Sequence, residues 1–296
     1  MKMMDRCASL PPKDDLQWAR SVGASTSGPW CYFLKENLQN FGLGTTCVSS
    51  SDAATVLPLM RQDKGYVLQP HIARPALYWD DCTPDGRRQA HSNPPQHHFF
   101  QGDVQRIACA CSGRKFHLRQ YLLIAQRGAW AAEPRCSSAG ARFYAHIPAT
   151  KIVVSPNEWN AADTDTATQV TTARGKILFA DFSGREAAMA AMMAVSAELV
   201  AVLQPKLLLP SAAKTHFELM GADYMLDEDG KAWLLEVNTG PVLHPKDVLD
   251  LELVGDILDT VVLGDGTAKG GWHELPYLLR RRDTSQNLPV CCGSIS

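Results

Sequence analysis

The stretch GADYMLDEDGKAWLLEVNTGP, residues 221–241, constrains the fold of this chain more than any other segment. Asp229-Gly230 is typical of a two-residue type I′ turn, and the flanking residues alternate between apolar and polar side chains. A hairpin closed by that turn pairs Asp223 with Glu236. The sequence therefore predicts a β-hairpin in which two carboxylates lie directly opposite each other.

Alternation along the strands divides this hairpin into two faces. The predicted apolar face fits a core and comprises Tyr224, Leu226, Trp233, Leu235 and Val237. The predicted polar face comprises Asp223, Met225, Leu234, Glu236 and Asn238. Facing carboxylates repel each other, and a cation between them removes the repulsion. Because oxygen ligands of this kind suit Mg²⁺ with substrate phosphates, the polar face predicts a magnesium–nucleotide site.

Two other interpretations fit parts of the hairpin. A surface hairpin with solvated acids needs no ligand and stays open at this point. A calcium-binding EF-hand loop would place Asp227, Asp229, Gly230 and Glu236 at suitable positions. It would also place Met225 at the first ligand position, where an acidic side chain is required, so we set this interpretation aside.

Cationic side chains for a phosphate site occur in two segments. Alternation in RKFHLRQYLLIA places Lys115, His117 and Arg119 on one face, which fits an anion; a solvated strand edge is the alternative. Lys35 ends a predicted strand just before a loop that contains Gly42 and Gly44, as expected where backbone amides approach phosphates. A lone G-x-G is a weak signal, and no lysine follows it as in a Walker loop.

Composition narrows the class of protein. The formal net charge of −2 over 296 residues argues against a dedicated nucleic-acid binder. The Ala-rich run at 187–203 is interrupted by Glu198 and is short for a bilayer, so we expect a mostly buried helix and no membrane partner. Nine cysteines without regular spacing favour a reducing, intracellular setting.

Taken in order, the motifs resemble a known family. The lysine strand, the glycine loop, YVLQPHI, GRKFHLRQYLLI, ARFYAHI and FELMGADYML…LLEVNTGP are similar to the tubulin-tyrosine ligase family of ATP-grasp ligases, over about residues 30–244. The spacing of Asp223, Glu236 and Asn238 matches that family's last motif. His117 stands where many relatives have Asp, and Thr172 replaces an expected Asn.

The resemblance implies an α+β ATP-grasp fold in which antiparallel sheets from two lobes enclose the nucleotide, with a shortened N-terminal domain. The implied division is an irregular lead-in at 1–28, a small lobe at 29–73, a large lobe at 74–264 with a loop insertion at 79–103, and a C-terminal tail at 265–296.

The resemblance also implies roles for single residues. The residues implied to bind ATP are Lys35, Gly42, Gly44, Gln69, Pro70, Ile72 and Lys115. The residues implied to stabilise the transferred phosphoryl group or the acceptor carboxylate are Arg119 and Arg142, with Lys115 at the phosphates. Magnesium would be held by Asp223, Glu236 and Asn238.

The implied activity is an ATP- and Mg²⁺-dependent amide ligation. A protein carboxylate, expected on the acidic tail of tubulin, is activated as an acyl phosphate and joined to free tyrosine, glutamate or glycine. Such a protein is expected in the cytoplasm with the cytoskeleton, including the cilium or flagellum. The alternative is a catalytically degenerate ATP-grasp protein that acts as a nucleotide- or microtubule-binding module, which the early lysine strand and Thr172 favour.

Overall fold

A computed structural model describes residues 31–36, 45–49, 66–72, 74–78, 113–127, 141–159, 171, 177–182, 184–203 and 215–275. They fall into two compact units, one within 1–73 and 155–172 and the other within 74–154 and 173–284. The predicted lead-in, Gly42, Gly44, Thr172 and the insertion at 79–103 lie outside the described residues. The predicted domain division therefore stays a prediction.

The first unit contains a three-stranded antiparallel sheet. Its strands are β1 (Cys31–Glu36), β2 (Thr45–Ser49) and β3 (Tyr66–Pro70), in the order β2-β1-β3. Pro70 ends the edge strand β3, where the missing N–H group is tolerated.

The second unit contains a seven-stranded sheet whose pairings are all antiparallel. Its strands are β4 (Leu77–Tyr78), β5 (Arg114–Gln126), β6 (Ala141–Val154), β7 (Ile177–Leu178), β8 (His216–Leu226), β9 (Ala232–Thr239) and β10 (Trp272–Glu274). The main order is β10-β6-β5-β8-β9, with β4 on β5 and β7 on β6. The predicted sheet-dominated antiparallel architecture is confirmed, and β10 extends the sheet into the segment predicted as a tail.

Helix α1 (Arg185–Leu203) covers one face of this sheet. Its buried side chains recur at helical spacing: Ala188, Met192, Ser196, Ala197 and Val200. Strand residues that pack against them include Leu118, Ile152 and Tyr224. The outward positions, such as Ala190, Ala194 and Glu198, are exposed, so the prediction of a mostly buried helix is wrong.

By length and composition alone, α1 could also cross a membrane, and among the described helices it is the one that could. A core helix has the same length and composition. Here Met192 is fully buried, and the Ser196 hydroxyl lies 2.7 Å from the Tyr224 hydroxyl of the sheet. These contacts describe a helix packed on a sheet.

Helix α2 (Val248–Ile257) covers the other face and runs into a π-helical turn (Leu258–Val262). Asp247 caps its first turn by accepting a hydrogen bond from the Leu249 N–H at 3.2 Å. Its buried residues Leu253, Ile257 and Val261 pack against the strand residues Tyr121, Leu123, Ala125 and Tyr144. The sheet therefore has a helix on each face.

A buried histidine ties α2 to the sheet. The His146 Nδ1 atom accepts a hydrogen bond from the Ala149 N–H at 3.1 Å, so Nε2 carries the proton that is donated to Asp256 Oδ2 at 3.0 Å. The ring also packs edge-on against Trp272 of β10. Burial lowers the pKa of His146, although Asp256 opposes the shift.

Replacing Met192 with Ala should lower the free energy of unfolding by about 2–4 kcal/mol, because a fully buried side chain leaves a cavity between α1 and the sheet. The exposed Glu198→Ala variant on the same helix is the control and should change it by less than about 0.5 kcal/mol. Urea unfolding measures both. Equal effects of the two variants would contradict this packing.

His146 should make stability depend on pH. Burial lowers the pKa of His146 in the folded chain, so the unfolded chain binds a proton on this side chain more readily. The stability that neutral His146 contributes is present above pH about 6.5 and is lost as the pH falls below it. The urea midpoint of the wild type should therefore drop between pH 7.5 and 5.5 by more than that of His146→Gln. Identical drops would show that His146 has no such role.

Candidate functional site

The hairpin at 221–241 forms, but its turn differs from the prediction. The Asp227 N–H donates to the Lys231 carbonyl at 3.0 Å, and Gly230 adopts a φ of 78°. The loop therefore has three residues, Glu228 to Gly230, and the predicted two-residue type I′ turn is wrong. The physical reason is the Asp227 carboxylate, which accepts hydrogen bonds from the Asp229 and Lys231 N–H groups and stabilises the longer loop.

A β-bulge compensates for the extra loop residue. Tyr224 pairs with Leu234 while Asp223 pairs with Glu236, so Leu235 is the additional residue of β9. Since the bulge restores the register that the longer loop shifts, the predicted pairing of Asp223 with Glu236 is confirmed.

The bulge also corrects the predicted faces. Between the turn and the bulge, Leu234 packs in the core under α1. Trp233 lies on the other face, where it pairs with Met225, and its Nε1 donates a hydrogen bond to Asp227 Oδ2 at 2.8 Å. The predicted faces of Trp233 and Leu234 are therefore wrong, because an inserted residue inverts the alternation. Beyond the bulge, Val237 packs with the core, as predicted.

Four charged residues form one row across the sheet, which we call the charged row: Lys151 on β6, Arg119 on β5, Asp223 on β8 and Glu236 on β9. The registers pair Lys151 with Arg119, Arg119 with Asp223, and Asp223 with Glu236. Directly opposite side chains lie about 5 Å apart at Cβ. Two cations therefore adjoin two carboxylates on the α2 face of the sheet.

The centre of the charged row is a two-pronged ion pair. Arg119 donates from Nε to Asp223 Oδ1 at 2.7 Å and from Nη2 to Asp223 Oδ2 at 2.6 Å. The hydrogen bond with Asp223 raises the pKa of Arg119 despite partial burial. His117 Nε2 lies 3.7 Å from Asp223 Oδ1. Asp223 is only 3% exposed, so these cationic and polar neighbours stabilise a carboxylate that has little contact with water.

The predicted metal ligands converge. The Asn238 Nδ2 atom lies 3.4 Å from Asp223 Oδ2 and 3.3 Å from Glu236 Oε1, so its amide lies between the two carboxylates. An amide can present either its oxygen or its nitrogen at this position. Two carboxylates and an amide oxygen fit Mg²⁺, which binds few protein ligands and keeps substrate phosphates in its shell. The described ranges contain no group of three His, Cys, Asp or Glu side chains placed to hold a metal ion, so the amide of Asn238 is needed as the third ligand.

Gly221 lies against Pro241 and beside the Arg119 side chain, a contact that sequence reasoning missed. A Cβ atom at Gly221 would lie 3.2 Å from Pro241 Cβ and 3.6 Å from Arg119 Cδ. Gly221 pairs with Asn238, and both residues lie two positions along their strands from the Asp223–Glu236 pair of the charged row. The signal available in the sequence was a glycine within a strand, which often marks a close approach of other atoms.

Lys151 connects the charged row to α2. Its ammonium group pairs with Asp250 and lies 3.6 Å from Asp247 Oδ2, and it stacks 5.5 Å from the centroid of the Tyr121 ring. Burial lowers the pKa of Lys151, but the hydrogen bonds to Asp250 and Tyr121 outweigh it and raise the pKa overall. Asp250 was missed as a candidate, although it falls at helical spacing with the buried Leu253 and Ile257.

Other predicted residues lie elsewhere. Lys115 is fully buried on β5, where it pairs with Leu77. It lies four residues before Arg119 on the same face of the strand. Arg142 pairs with Ala125, six residues along β5 from Arg119, which is about 20 Å. Its Nη1 donates to the Gly266 carbonyl at 2.9 Å. The structure therefore does not bring Arg142 to the charged row.

Four predicted nucleotide contacts lie among the described residues of the first unit: Lys35, Gln69, Pro70 and Ile72. Lys35 lies on the central strand β1, opposite Val67, and Gln69 lies opposite Phe33. Because paired residues share a face and alternate residues return to it, Lys35 and Gln69 point to the same side of the small sheet. Gln69 is buried, and Ile72 follows β3 and is half-buried.

The antiparallel sheet, with Asp223, Glu236 and Asn238 close together on β8 and β9, is compatible with an ATP-grasp fold. The sequence profile of the tubulin-tyrosine ligase family matches residues 186–269, which include α1, β8, β9 and α2. This segment carries Asp223, Glu236 and Asn238, so the predicted resemblance to the tubulin-tyrosine ligase family is confirmed over it.

Individual relatives match over short segments. The protein polyglycylase TTLL10 of Mus musculus is 38% identical over 71 residues, which are 23% of this chain and 10% of that relative. The tubulin polyglutamylase ttll-4 of Caenorhabditis briggsae is 38% identical over 71 residues, which are 23% of this chain and 12% of that relative. The inactive polyglycylase TTLL10 of Homo sapiens is 37% identical over 71 residues, 23% of this chain and 10% of that relative. The match thus spans about a tenth of the length of these curated relatives.

The Arg119–Asp223 pair should couple strongly. Arg119→Gln should lower the free energy of unfolding by about 2 kcal/mol, because it leaves a buried carboxylate without its charged partner. Asp223→Asn, added to Arg119→Gln, should recover about half of that loss by removing the charge. Urea unfolding of the double-mutant cycle measures the coupling.

The control for this cycle is Arg74→Gln. Arg74 pairs with Glu228 and Asp229 at an exposed turn of the same hairpin, so its loss should change stability by less than about 1 kcal/mol. Strictly additive effects of the Arg119 and Asp223 changes would contradict the ion pair.

Proposed function

We propose that this chain is an ATP- and Mg²⁺-dependent ligase that activates a protein carboxylate as an acyl phosphate and joins tyrosine, glutamate or glycine to it. We propose tubulin as the protein substrate. The family match supports ligase chemistry, and the names of the relatives, glycylases and a tubulin polyglutamylase, support an amino-acid transfer to this substrate.

The charged row is the observation that carries the proposal. A structural sheet gains nothing from two carboxylates directly opposite each other, since like charges in that position destabilise the pair. A divalent cation bound by Asp223, Glu236 and Asn238 removes this repulsion and attracts phosphates. Arg119 lies beside Asp223, on the side opposite Glu236, and adds a positive charge next to the proposed cation.

Arg119 is suited to receive a phosphate oxygen or a substrate carboxylate. A guanidinium group has five N–H donors, and Asp223 takes two of them. In the described part of the chain no other acceptor uses the remaining three. Because Asp223 fixes the plane of the guanidinium, these donors are oriented before substrate binds, which favours charge stabilisation during transfer.

The proposed reaction moves the γ-phosphoryl group of ATP to the carboxylate oxygen, breaking the bond between the γ-phosphorus and the bridging oxygen. The amine of the amino acid then attacks the acyl carbon, loses a proton and displaces inorganic phosphate. Bound magnesium supplies neutralisation of the phosphate charges. The protein residues orient the reactants and balance charge, which is the main contribution of a protein to phosphoryl transfer.

We propose nucleotide contacts on the small sheet of the first unit. Lys35 and Gln69 share one face of that sheet, so a phosphate contact and an adenine contact from this face are compatible with a single nucleotide. We propose that Gln69, Pro70 and Ile72 contact the adenine base of ATP and that Lys115 contacts its phosphates.

A second candidate function is a catalytically degenerate module that binds a nucleotide or microtubules. The observation that favours it is the human relative named an inactive polyglycylase, which matches over the same number of residues as the mouse polyglycylase at nearly the same identity. Similarity at this level does not separate active from inactive relatives, so the test must measure turnover as well as binding.

Glu236→Gln should weaken the binding of Mg·ATP about tenfold or more, because it removes the charge of one carboxylate ligand. Isothermal titration of the full chain with ATP, with and without Mg²⁺, measures this effect. Glu228→Gln is the control, since Glu228 lies at the turn of the same hairpin, and it should bind as the wild type does.

A second experiment measures whether the chain, with Mg²⁺ and ATP, incorporates labelled tyrosine, glutamate or glycine into tubulin. Magnesium-dependent binding with incorporation supports the ligase. Binding without incorporation of any of the three supports the degenerate module. A folded wild-type chain that does not bind Mg·ATP would rule out the ligase and would leave a degenerate module that binds no nucleotide.

A further inference from the structure

Helix α2 and the π-helical turn after it carry an apolar surface that lies in solvent. Eight large hydrophobic side chains are exposed among the described residues, and seven of them lie in one segment: Val242, Val248, Leu251, Val254, Leu258, Val262 and Leu263. The eighth, Phe217, lies on β8. Scattered exposed apolar residues are ordinary, but a contiguous apolar surface marks an interaction site.

The helical spacing gathers five of these residues on one side of the helix: Val248, Leu251, Val254, Leu258 and Val262, which we call the α2 stripe. Residues three, four and seven positions apart face the same way on a helix. The opposite side, with Leu253, Ile257 and Val261, packs against the sheet. Helix α2 is therefore apolar on two sides, and the described chain covers only one of them.

Acidic residues border the α2 stripe. Residues 247–268 include six acidic residues; Asp247, Asp250 and Asp256 pair with Lys151 or His146, whereas Glu252, Asp259 and Asp265 are exposed. Glu252 and Asp259 are both exposed and lie seven residues apart, so they face one edge of the stripe together. A partner that covers the stripe would therefore meet an apolar centre and a negative edge.

We propose that the α2 stripe docks a basic amphipathic helix of a protein partner, with its apolar side chains on the stripe and its lysines or arginines beside Glu252 and Asp259. Charge complementarity selects this occupant. An anionic membrane would be repelled by the acidic edge, and two copies of this chain meeting through the same stripe would bring like charges together. The proposal goes beyond the ligase function and uses no residue of the charged row.

The test uses a labelled synthetic helix of about 18 residues, five turns, made of leucine at helical spacing with lysine elsewhere. A peptide with the same leucines and glutamate in place of lysine is the matched probe. We expect the Leu/Lys peptide to bind the full chain at micromolar concentration by fluorescence anisotropy, and the Leu/Glu peptide to bind at least about tenfold more weakly.

Two stripe variants locate the site. Leu251→Ser with Leu258→Ser, and separately Glu252→Lys with Asp259→Lys, should each weaken Leu/Lys binding about tenfold or more. Phe217→Ser and Glu198→Lys change an exposed apolar and an exposed acidic residue elsewhere and should bind as the wild type does. All four changes replace exposed side chains, and thermal unfolding checks that each variant is folded.

Four outcomes would overturn the proposal. They are equal binding of the two peptides, unchanged binding by both stripe variants, a wild-type dimer in light scattering that Leu251→Ser with Leu258→Ser abolishes, and stripe-dependent binding to phosphatidylserine vesicles. The third would assign the stripe to a second copy of this chain, and the fourth would assign it to a lipid surface.

Discussion

The ion pair between Arg119 and Asp223 is the interaction on which the candidate site depends. Asp223 is buried in the middle of a sheet and faces a second carboxylate on the next strand, an arrangement that is unfavourable without positive charge beside it. Arg119 supplies that charge through two short hydrogen bonds from the strand on the other side. The sheet can therefore keep two acids in register for a cation, and it holds a guanidinium in a fixed plane next to them.

Both sides of the charged row have structural support. Gly221 lies beside the Arg119 side chain and against Pro241, where an added Cβ atom would be tight against the proline ring. At the other end, Lys151 is held by Asp250 and Asp247 at the start of α2, so the helix and the row are positioned together. His146 and Asp256 attach the middle of the same helix to the sheet. The helix that fixes the site also presents the α2 stripe to solvent.

Much of this arrangement could be predicted from the sequence because it follows from alternation along strands. The shared face of His117 and Arg119 and the pairing of Asp223 with Glu236 are of this kind, and the structure confirms them. The length of the turn and the bulge in β9 could not be predicted, because these two local irregularities compensate for each other. The Asp227 carboxylate lengthens the turn and Leu235 bulges, and each alone would have misplaced the acids. Arg142 lies at the start of β6 within ARFYAHI, but it pairs with Ala125, six residues along β5 from Arg119, and its side chain binds the Gly266 carbonyl instead.

The central claim is that the charged row binds a divalent cation with a nucleotide. A crystal structure of the chain with Mn²⁺ and a non-hydrolysable ATP analogue tests it most directly, because manganese takes the same oxygen ligands as magnesium and gives an anomalous signal. The account predicts an anomalous peak between the carboxylates of Asp223 and Glu236, with a phosphate of the analogue in contact with it. A nucleotide bound with its metal away from these two residues, or no peak at saturating Mn²⁺, would contradict it.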